Sequence, residues 1–244
     1  MPPLADRVRP QSLSGFIGQS HLIDPDKILS KLLEKEQLFS LLFWGPPGTG
    51  KTTLARIIAN NLNAEMHELS AVSSGVKDLR NVIKKGTANR DLGRSTILFI
   101  DEIHRFSKSQ QDALLHAVEE GVVTLIGATT ENPSFEVISP LLSRCRVLTL
   151  KPLDEDQLSL VLNRAFNEDI ILSKGKIHLD DDVKIKLIQS AGGDARKMLN
   201  TIELATSLAG KDGEISPKIL DEALQSKTQL YDKTGDYHYD AISA

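Results

Sequence analysis

Short apolar runs alternate with amphipathic stretches over the first 150 residues. Runs rich in apolar and β-branched residues predict strands at 41–44, 66–69, 96–100, 122–129 and 146–150, of which 66–69 is the weakest. Between these runs, apolar residues recur at the period of a helix over 51–62, 76–85 and 109–120. Strands that alternate with helices are typical of a parallel sheet. The pattern therefore predicts an α/β fold, with a parallel sheet covered by helices on both faces.

The pattern changes after residue 152. Helical periods cover 154–167, 180–191, 195–208 and 216–225, and no strong strand pattern lies between them. Asp154 is followed by Gln157 as in a capping box. From Lys227 the sequence turns polar and contains three tyrosines. We therefore predict a sheet domain over 1–152, a small all-helical domain over 153–226, and the start of a further region over 227–244.

The composition is that of an ordinary globular protein. The 244 residues are 40% apolar and 25% charged, with a net charge of −4. The single cysteine, Cys145, excludes an internal disulfide and a thiolate-rich zinc site. No apolar run approaches the roughly 18 residues that a membrane helix needs, and the first ten residues lack the apolar stretch of a secretory signal. These features predict a soluble, cytoplasmic protein with no membrane partner.

Charge is spread unevenly along the chain. Residues 1–150 carry a net charge of +1 and residues 151–244 a net charge of −5, so the chain lacks the broadly basic character of many nucleic-acid binders. The segment 77–94 is an exception, with a net charge of +4. Within it Lys77, Arg80 and Lys84 share one helical face. That face either contacts DNA phosphates or is simply solvated.

A complete phosphate-binding pattern, GxxxxGK[ST], follows the first predicted strand. Its residues are Gly45, Pro46, Pro47, Gly48, Thr49, Gly50, Lys51 and Thr52, and Thr53 directly follows them as a further expected contact. Glycines let backbone N–H groups point at phosphate oxygens, and the following helix adds its partial positive charge. Lys51 is expected to reach the β and γ phosphates of ATP, and the Thr52 hydroxyl to bind Mg²⁺. A glycine-rich turn without a ligand is the alternative, which the strand–loop–helix context disfavours.

Two adjacent carboxylates, Asp101 and Glu102, follow the predicted strand 96–100. A buried strand that ends in two carboxylates is costly unless they act on a ligand, and ligands bind at this end of parallel strands. Asp101 is expected to hold Mg²⁺, and Glu102 to act as the general base on the attacking water. The alternative is that Asp101 only caps the next helix.

These motifs together resemble those of AAA+ ATPases of the clamp-loader and RuvB-like group. The matching residues are Arg9-Pro10, Ile17-Gly18-Gln19, the phosphate loop, Asp101-Glu102-Ile103-His104 and Ser143-Arg144-Cys145. More narrowly, the segments 127–135 and 231–244 resemble the replication-associated recombination protein A family, whose eukaryotic member is the Werner helicase-interacting protein. The resemblance covers essentially the whole chain. It implies an AAA+ P-loop ATPase core with a helical lid, and a chain that ends before a helical oligomerisation domain.

The resemblance implies roles for two arginines. Arg144 is similar to the arginine finger, which enters the ATP site of a neighbouring subunit and stabilises charge on the γ-phosphate. Arg196 is similar to the sensor 2 arginine, which reaches from the lid to the γ-phosphate. On the sequence alone, either could be an ordinary exposed arginine. Ser70 falls where clamp loaders have a polar residue that regulates the catalytic glutamate, although serine replaces the usual asparagine.

The resemblance also implies a sensor 1 residue and an adenine site. We assign sensor 1 to Thr130, at the end of the strand 122–129, with Thr129 and Asn132 as rivals. The adenine is expected to contact Val8, Ile17 and Gly18. His104 either gates a DNA-dependent activity or, as we favour, is an ordinary loop residue. For Cys145, a buried small side chain is favoured over a redox role.

The resemblance implies a DNA-dependent ATPase that acts in replication fork maintenance, recombination and repair. It hydrolyses ATP between subunits of a homo-oligomer, a tetramer in the full-length protein, on single-stranded/double-stranded junctions or gaps. Single-strand DNA-binding protein is a further expected partner, and the nucleoid the expected location. The alternative is a clamp-loader-like scaffold that ATP switches and that turns over slowly. A RuvB-type motor is disfavoured by the segment 127–135 and by the residues after 227.

Overall fold

The chain divides into two units. The computed structural model describes residues 1–36, 39–175, 177–210 and 213–225. One unit, here called the sheet unit, is Pro10–Pro152. The other, the helical unit, joins Met1–Arg9 to the chain from Leu153 onward.

Five parallel strands form the sheet of the sheet unit. They are β1 Leu41–Trp44, β2 Glu65–Ser70, β3 Thr96–Asp101, β4 Thr124–Thr129 and β5 Arg146–Thr149. The order across the sheet is β2-β3-β4-β1-β5, and every pair of neighbours is parallel. The predicted parallel α/β fold is therefore confirmed.

Helices account for most of the remaining structure. Among the described residues they are α1 Leu4–Arg7, α2 Ser20–Ile23, α3 Ile28–Glu34, α4 Lys51–Asn61, α5 Val76–Asp91, α6 Lys108–Glu119, α7 Pro133–Glu136, α8 Ser139–Leu142, α9 Glu155–Glu168, α10 Ile170–Lys174, α11 Asp181–Ala191 and α12 Ala195–Ala209, with a further helical stretch over 217–225. Within these residues, no helix is long and apolar enough to cross a bilayer.

Both faces of the sheet are covered, as predicted. Alternate residues of each strand point to opposite faces, so Phe43 and Phe99 pack on one side while Leu42 and Leu98 pack on the other. The first side is covered by α4, which contributes Leu54, Ala55 and Ile58. The second side is covered by α5 and α6, which contribute Leu79, Val82, Leu114 and Ala117. The strands of the sheet are thus held in place from both sides.

Two predicted boundaries shift for local reasons. The helix predicted over 76–85 continues to Asp91, with Gly86 inside it. A Cβ atom at position 86 would lie 2.8 Å from the carbonyl oxygen of Val122, so glycine lets the helix pack this closely. The strand predicted over 122–129 begins at Thr124. Val122 and Val123 instead donate their N–H groups to the Ala117 oxygen and close the end of α6.

The sheet unit begins at Pro10, whereas the predicted domain 1–152 begins at residue 1. Leu4, on α1, is fully buried in the core of the helical unit together with Leu162, Leu187 and Ile202. A four-residue helix with one buried leucine is too short for a periodic pattern, so the sequence did not indicate this packing. The predicted region 227–244 lies outside the described residues.

Candidate active site

Strand order brings the carboxyl ends of four strands to one edge of the sheet. The loop 45–50 follows β1, and Thr130 follows β4. Asp101 is the last residue of β3 and Glu102 comes directly after it, while Ser70 is the last residue of β2. Because β4 lies between β1 and β3, the loop and the carboxylates are separated by about 10 Å of sheet. This edge therefore places a phosphate-type loop and a pair of carboxylates on either side of the end of β4.

The backbone of the loop requires glycine at two positions. Gly50 has φ +99°, and a Cβ there would collide with the ring of Phe16. At Gly45 a Cβ would collide with the carbonyl oxygen of Leu150. The loop thus packs between Phe16 and the end of β5, and side chains at these positions would push it out of its path.

Lys51 holds its charge inside the loop. Its side chain is buried, and Nζ donates hydrogen bonds to the carbonyl oxygens of Gly45 (2.7 Å) and Pro46 (2.8 Å). The buried Thr49 hydroxyl also donates to the Pro46 oxygen, at 2.9 Å. Thr52 and Thr53 follow, partly exposed, in the first turn of α4. A buried ammonium, a helix amino terminus and threonine hydroxyls form a donor set that suits a phosphate chain with a divalent cation.

Glu102 lies in an unusual backbone conformation directly after β3. Its φ of +54° and ψ of +49° are in the left-handed region, which costs a non-glycine residue about 1–3 kcal/mol. Its Oε2 is 3.4 Å from the Thr130 hydroxyl and 3.2 Å from Nδ1 of His104. Asp101 is the last residue of β3 and is partly buried. The next turn, Ile103–Arg105, has Glu102 rather than Asp101 at its cap position, so the structure does not favour the capping alternative for Asp101.

The three rivals for sensor 1 have different surroundings. Thr130 places its hydroxyl next to Glu102. Thr129 is fully buried, and its hydroxyl contacts His104 at 3.0 Å and the backbone of Glu131. Asn132 caps α7 by accepting a hydrogen bond from the Ser134 N–H. Of the three, Thr130 is therefore the one with a hydroxyl directed at the candidate base.

Arg144 lies at the opposite edge of the sheet from the loop. Arg146 pairs in register with Leu41, the first residue of β1, and the two strands are about 13 Å long at roughly 3.3 Å per residue. Arg144 precedes Arg146 and so lies at the amino-terminal edge. Its guanidinium pairs with the carboxylate of Glu119 and donates to the Pro140 oxygen at 2.7 Å. The structure therefore does not bring Arg144 to the loop of its own chain.

The remaining predicted residues are divided between the units. Val8 is buried in the helical unit, whereas Ile17 and Gly18 lie in the sheet unit. Arg196 is exposed as the second residue of α12, after Asp194, which caps the helix by accepting from the Lys197 N–H at 2.8 Å. Their proposed contacts with a nucleotide stay predictions.

Sequence reasoning underestimated two polar residues near the site. Gln19 is buried, and its amide forms two hydrogen bonds with the backbone of Lys151, at 2.7 Å and 2.9 Å. This pairing ties the segment before the sheet to the chain just after β5. His104, interpreted as an ordinary loop residue, contacts both Glu102 and Thr129. The only sequence signal for it was its position, two residues after the candidate base.

Cys145 is unsuited to a redox role at neutral pH. Burial raises the pKa of its thiol to about 12, so the reactive thiolate is scarce near pH 7. Cys145 is partly buried against the core on one face of the sheet, so the prediction of a buried small residue holds only in part.

Comparisons with known proteins fit this architecture. Residues 41–153 match the family "ATPase family associated with various cellular activities (AAA)", and residues 173–244 match the "AAA C-terminal domain". Replication-associated recombination protein A of Escherichia coli K12 is 46% identical over 99% of this chain, which covers 55% of that protein. ATPase WRNIP1 of Dictyostelium discoideum is 42% identical over 99% of the chain, which covers 30% of it. The chain thus spans about half the length of the bacterial relative and a smaller share of the longer Dictyostelium protein.

A solved structure gives the same picture. The Thermotoga maritima RuvB Holliday junction branch migration motor matches with a TM-score of 0.69 and 28% identity, covering 90% of this chain and 72% of that one. The likeness supports the AAA+ fold for the sheet and the helices that follow it.

Proposed function

Because the chain belongs to the AAA+ ATPase family of replication-associated recombination protein A, we propose that it is a DNA-dependent ATPase whose sites lie between copies of the chain. It acts in replication fork maintenance, recombination and repair. The observation that supports the proposal is the position of Arg144, which lies at the amino-terminal ends of the strands, away from the loop 45–50 and Glu102 at their carboxyl ends.

ATP binds at the loop 45–50 with Mg²⁺. The loop and Thr53 supply backbone N–H donors, and Lys51 pairs with the β and γ phosphates. Thr52 and Asp101 would hold the metal. Mg²⁺ held there would neutralise charge on the phosphates. Glu102 takes the proton of the attacking water, and Thr130 orients that water beside it, a role supported by its 3.4 Å contact with Glu102.

Arg144 completes the site of a neighbouring copy. An arginine about one strand length from its own loop acts in trans, and such a finger is worth about 10³–10⁵ in rate. Arg196 contacts the γ-phosphate from the lid, and Val8, Ile17 and Gly18 contact the adenine. These three roles are carried over from the family, residue by residue.

DNA contacts the basic face of α5. Leu79 and Val82 pack into the core, while Lys77, Arg80 and Lys84 are exposed on the outer side of the same helix. Exposed cations on one face suit the phosphates of a duplex or a single strand. The proposed substrates are junctions or gaps between single- and double-stranded DNA, and the proposed assembly is a tetramer of the full-length protein. Single-strand DNA-binding protein is the proposed partner, and the nucleoid the proposed location.

The first experiment measures ATP hydrolysis against the concentration of the chain, with and without a gapped or forked duplex. We expect the rate per chain to rise with concentration and to increase with DNA. A low, flat rate despite ATP binding would instead favour the slow, ATP-switched scaffold.

A mixing experiment tests the trans arrangement directly. Lys51→Ala removes the loop cation but keeps the finger, and Arg144→Ala removes the finger but keeps the loop. Each variant alone is expected to be inactive, whereas their mixture recovers part of the rate because the intact parts meet at mixed interfaces. Mixing Lys51→Ala with Glu102→Gln is the matched control, since both changes damage the same side of the interface and each variant keeps Arg144. A mixture of Lys51→Ala and Arg144→Ala that stays inactive, at concentrations where wild type is active, contradicts the proposal.

A further inference from the structure

His104 joins the ends of two neighbouring strands through one ring nitrogen. Its Nδ1 lies 3.2 Å from Oε2 of Glu102, just after β3, and 3.0 Å from Oγ1 of Thr129, the last residue of β4. The His104 side chain is 14% exposed, so these contacts are largely shielded from solvent. One imidazole therefore bridges the candidate base and the adjacent strand.

The surrounding hydrogen bonds determine which nitrogen carries the proton. The Thr129 hydroxyl accepts the Glu131 N–H at 3.0 Å and donates to the Glu131 oxygen at 3.2 Å. Its single proton is then used, and a lone pair remains to face His104. The carboxylate of Glu102 is also an acceptor. Because both neighbours are acceptors, Nδ1 of His104 must be the donor, shared between Glu102 and Thr129.

We propose that His104 is a positioning residue that holds the Glu102 carboxylate for catalysis through a protonated Nδ1. The inference rests on the proposed role of Glu102 as the base. Thr129 is fixed by the backbone of Glu131, and it fixes the ring in turn. The ring then holds a carboxylate whose backbone is in the left-handed region. His104 acts on the reaction through Glu102 and does not itself touch the water or the nucleotide.

The arrangement divides the work between the two carboxylate oxygens. Both the His104 and the Thr130 contacts are made by Oε2. Oε1 is then the oxygen left to accept the proton of the attacking water. Without the bridge, Glu102 can rotate about its side-chain bonds, and the productive orientation becomes one among several.

Three substitutions at one position test this role. Asn carries its amide nitrogen at the position of Nδ1, Gln carries its own near the position of Nε2, and Ala carries neither. We expect His104→Ala and His104→Gln to lower kcat by about 10–100-fold, as for other residues that orient a reactive group. KM and the Kd of a fluorescent ATP analogue should change less than about threefold. His104→Asn should recover kcat to within about fivefold of wild type.

The proton assignment has a readout that is independent of activity. Nitrogen-15 NMR of the histidine ring in the wild-type chain should show Nδ1 protonated and Nε2 unprotonated at pH 8. Thr129→Val removes one acceptor and should shift the Nδ1 signal, while the exposed His116 serves as the internal reference. Thermal unfolding of each variant checks that it folds.

The outcomes separate this proposal from the one on which it rests. If Glu102→Gln keeps full activity, the assignment of the base fails. If Glu102→Gln is inactive while His104→Ala has wild-type kcat, only the positioning role fails. An Nε2-protonated ring, or His104→Asn as slow as His104→Ala in a folded protein, also overturns it. In the Glu102→Gln background, His104→Ala should cause no further loss of rate.

Discussion

Two polar clusters, one in each unit, combine carboxylates with nearby donors to different ends. The Glu102 cluster consists of Glu102, His104, Thr129 and Thr130. The Arg7 cluster consists of Arg7, Asp169 and Glu203. The Glu102 side chain is 29% exposed and has a left-handed backbone, whereas the Asp169 side chain is 2% exposed and also caps α10.

The difference lies in what each carboxylate can still do. Arg7 donates to both oxygens of Asp169, at 2.6 Å and 3.2 Å, and these hydrogen bonds hold the pKa of Asp169 below its usual value. The same pairing raises the pKa of Arg7. Asp169 therefore fixes α1 to the rest of the helical unit, and neither of its carboxylate oxygens is left to bind a reactant. Glu102 keeps access to solvent, as its proposed role as the base requires.

Of all the substitutions, Glu102→Gln should have the largest effect, which is a loss of ATPase activity. The amide can keep the contact with Thr130 but cannot take a proton, so kcat should fall by about 10²–10⁴-fold. ATP hydrolysis under saturating ATP and DNA measures the loss. Glu136→Gln, an exposed change of the same kind on α7, should keep wild-type activity. The urea midpoint of Glu102→Gln should match wild type; a large drop would mean that Glu102 is structural, like Asp169.

Asp169→Ala should be the largest change in stability. It leaves a largely buried guanidinium with one carboxylate fewer and removes the cap of α10. We expect a loss of about 3 kcal/mol in the free energy of unfolding of the helical unit. Urea denaturation followed by circular dichroism measures it. Asp169→Asn keeps an oxygen for the cap and should lose less; equal losses would assign the whole effect to the ion pair.

Lowering the pH should reduce the stability contributed by the Arg7 cluster, by less than the substitution Asp169→Ala does. The folded-state pKa of Asp169 is lowered, so its contribution to stability is complete above the unfolded value near 3.8 and is lost as pH falls through the folded value. Wild type should therefore lose more stability between pH 5 and pH 3 than Asp169→Asn does. Thermal unfolding at a series of pH values in this window tests it. Parallel curves for the two proteins would exclude the linkage.

Glu119→Gln should have the smallest effect. The pair between Glu119 and Arg144 is more than a third exposed on both sides, and such pairs contribute about 0–1 kcal/mol. Stability should barely change. If Arg144 acts in trans, its release should raise the concentration-dependent ATPase rate by at most about fivefold. Glu120→Gln, one residue along, is the control, and a rate below wild type would show that Glu119 assists the finger.

The sequence predicted the parts of the molecule that a single segment encodes. The run 96–100 is buried as a strand, and the loop 45–50 lies between a strand and a helix. Because parallel strands end at one edge, the placement of Asp101 and Glu102 near that loop also followed. The parallel α/β fold could thus be predicted from the sequence pattern, whereas the AAA+ class was implied by the resemblance.

Contacts between distant segments could not be predicted in this way. The burial of Leu4, the pairing of Gln19 with Lys151 and the ion pair of Arg7 with Asp169 each join residues more than 100 positions apart. No periodic pattern encodes them. At the site, the backbone of Glu102 and the bridge by His104 depend on how β3 and β4 end side by side, and a local motif does not specify that geometry.

The position of Arg144 has a consequence for the arithmetic of assembly. By the proposed scheme, each chain carries half of one site and the complementary half of another. Two chains side by side complete one site and leave a loop unmatched at one end and a finger at the other, whereas a closed ring leaves neither. The ATPase rate per chain then depends on whether the assembly closes into a ring. A single defective chain inactivates the site that it shares with a neighbour, so its effect extends beyond that chain.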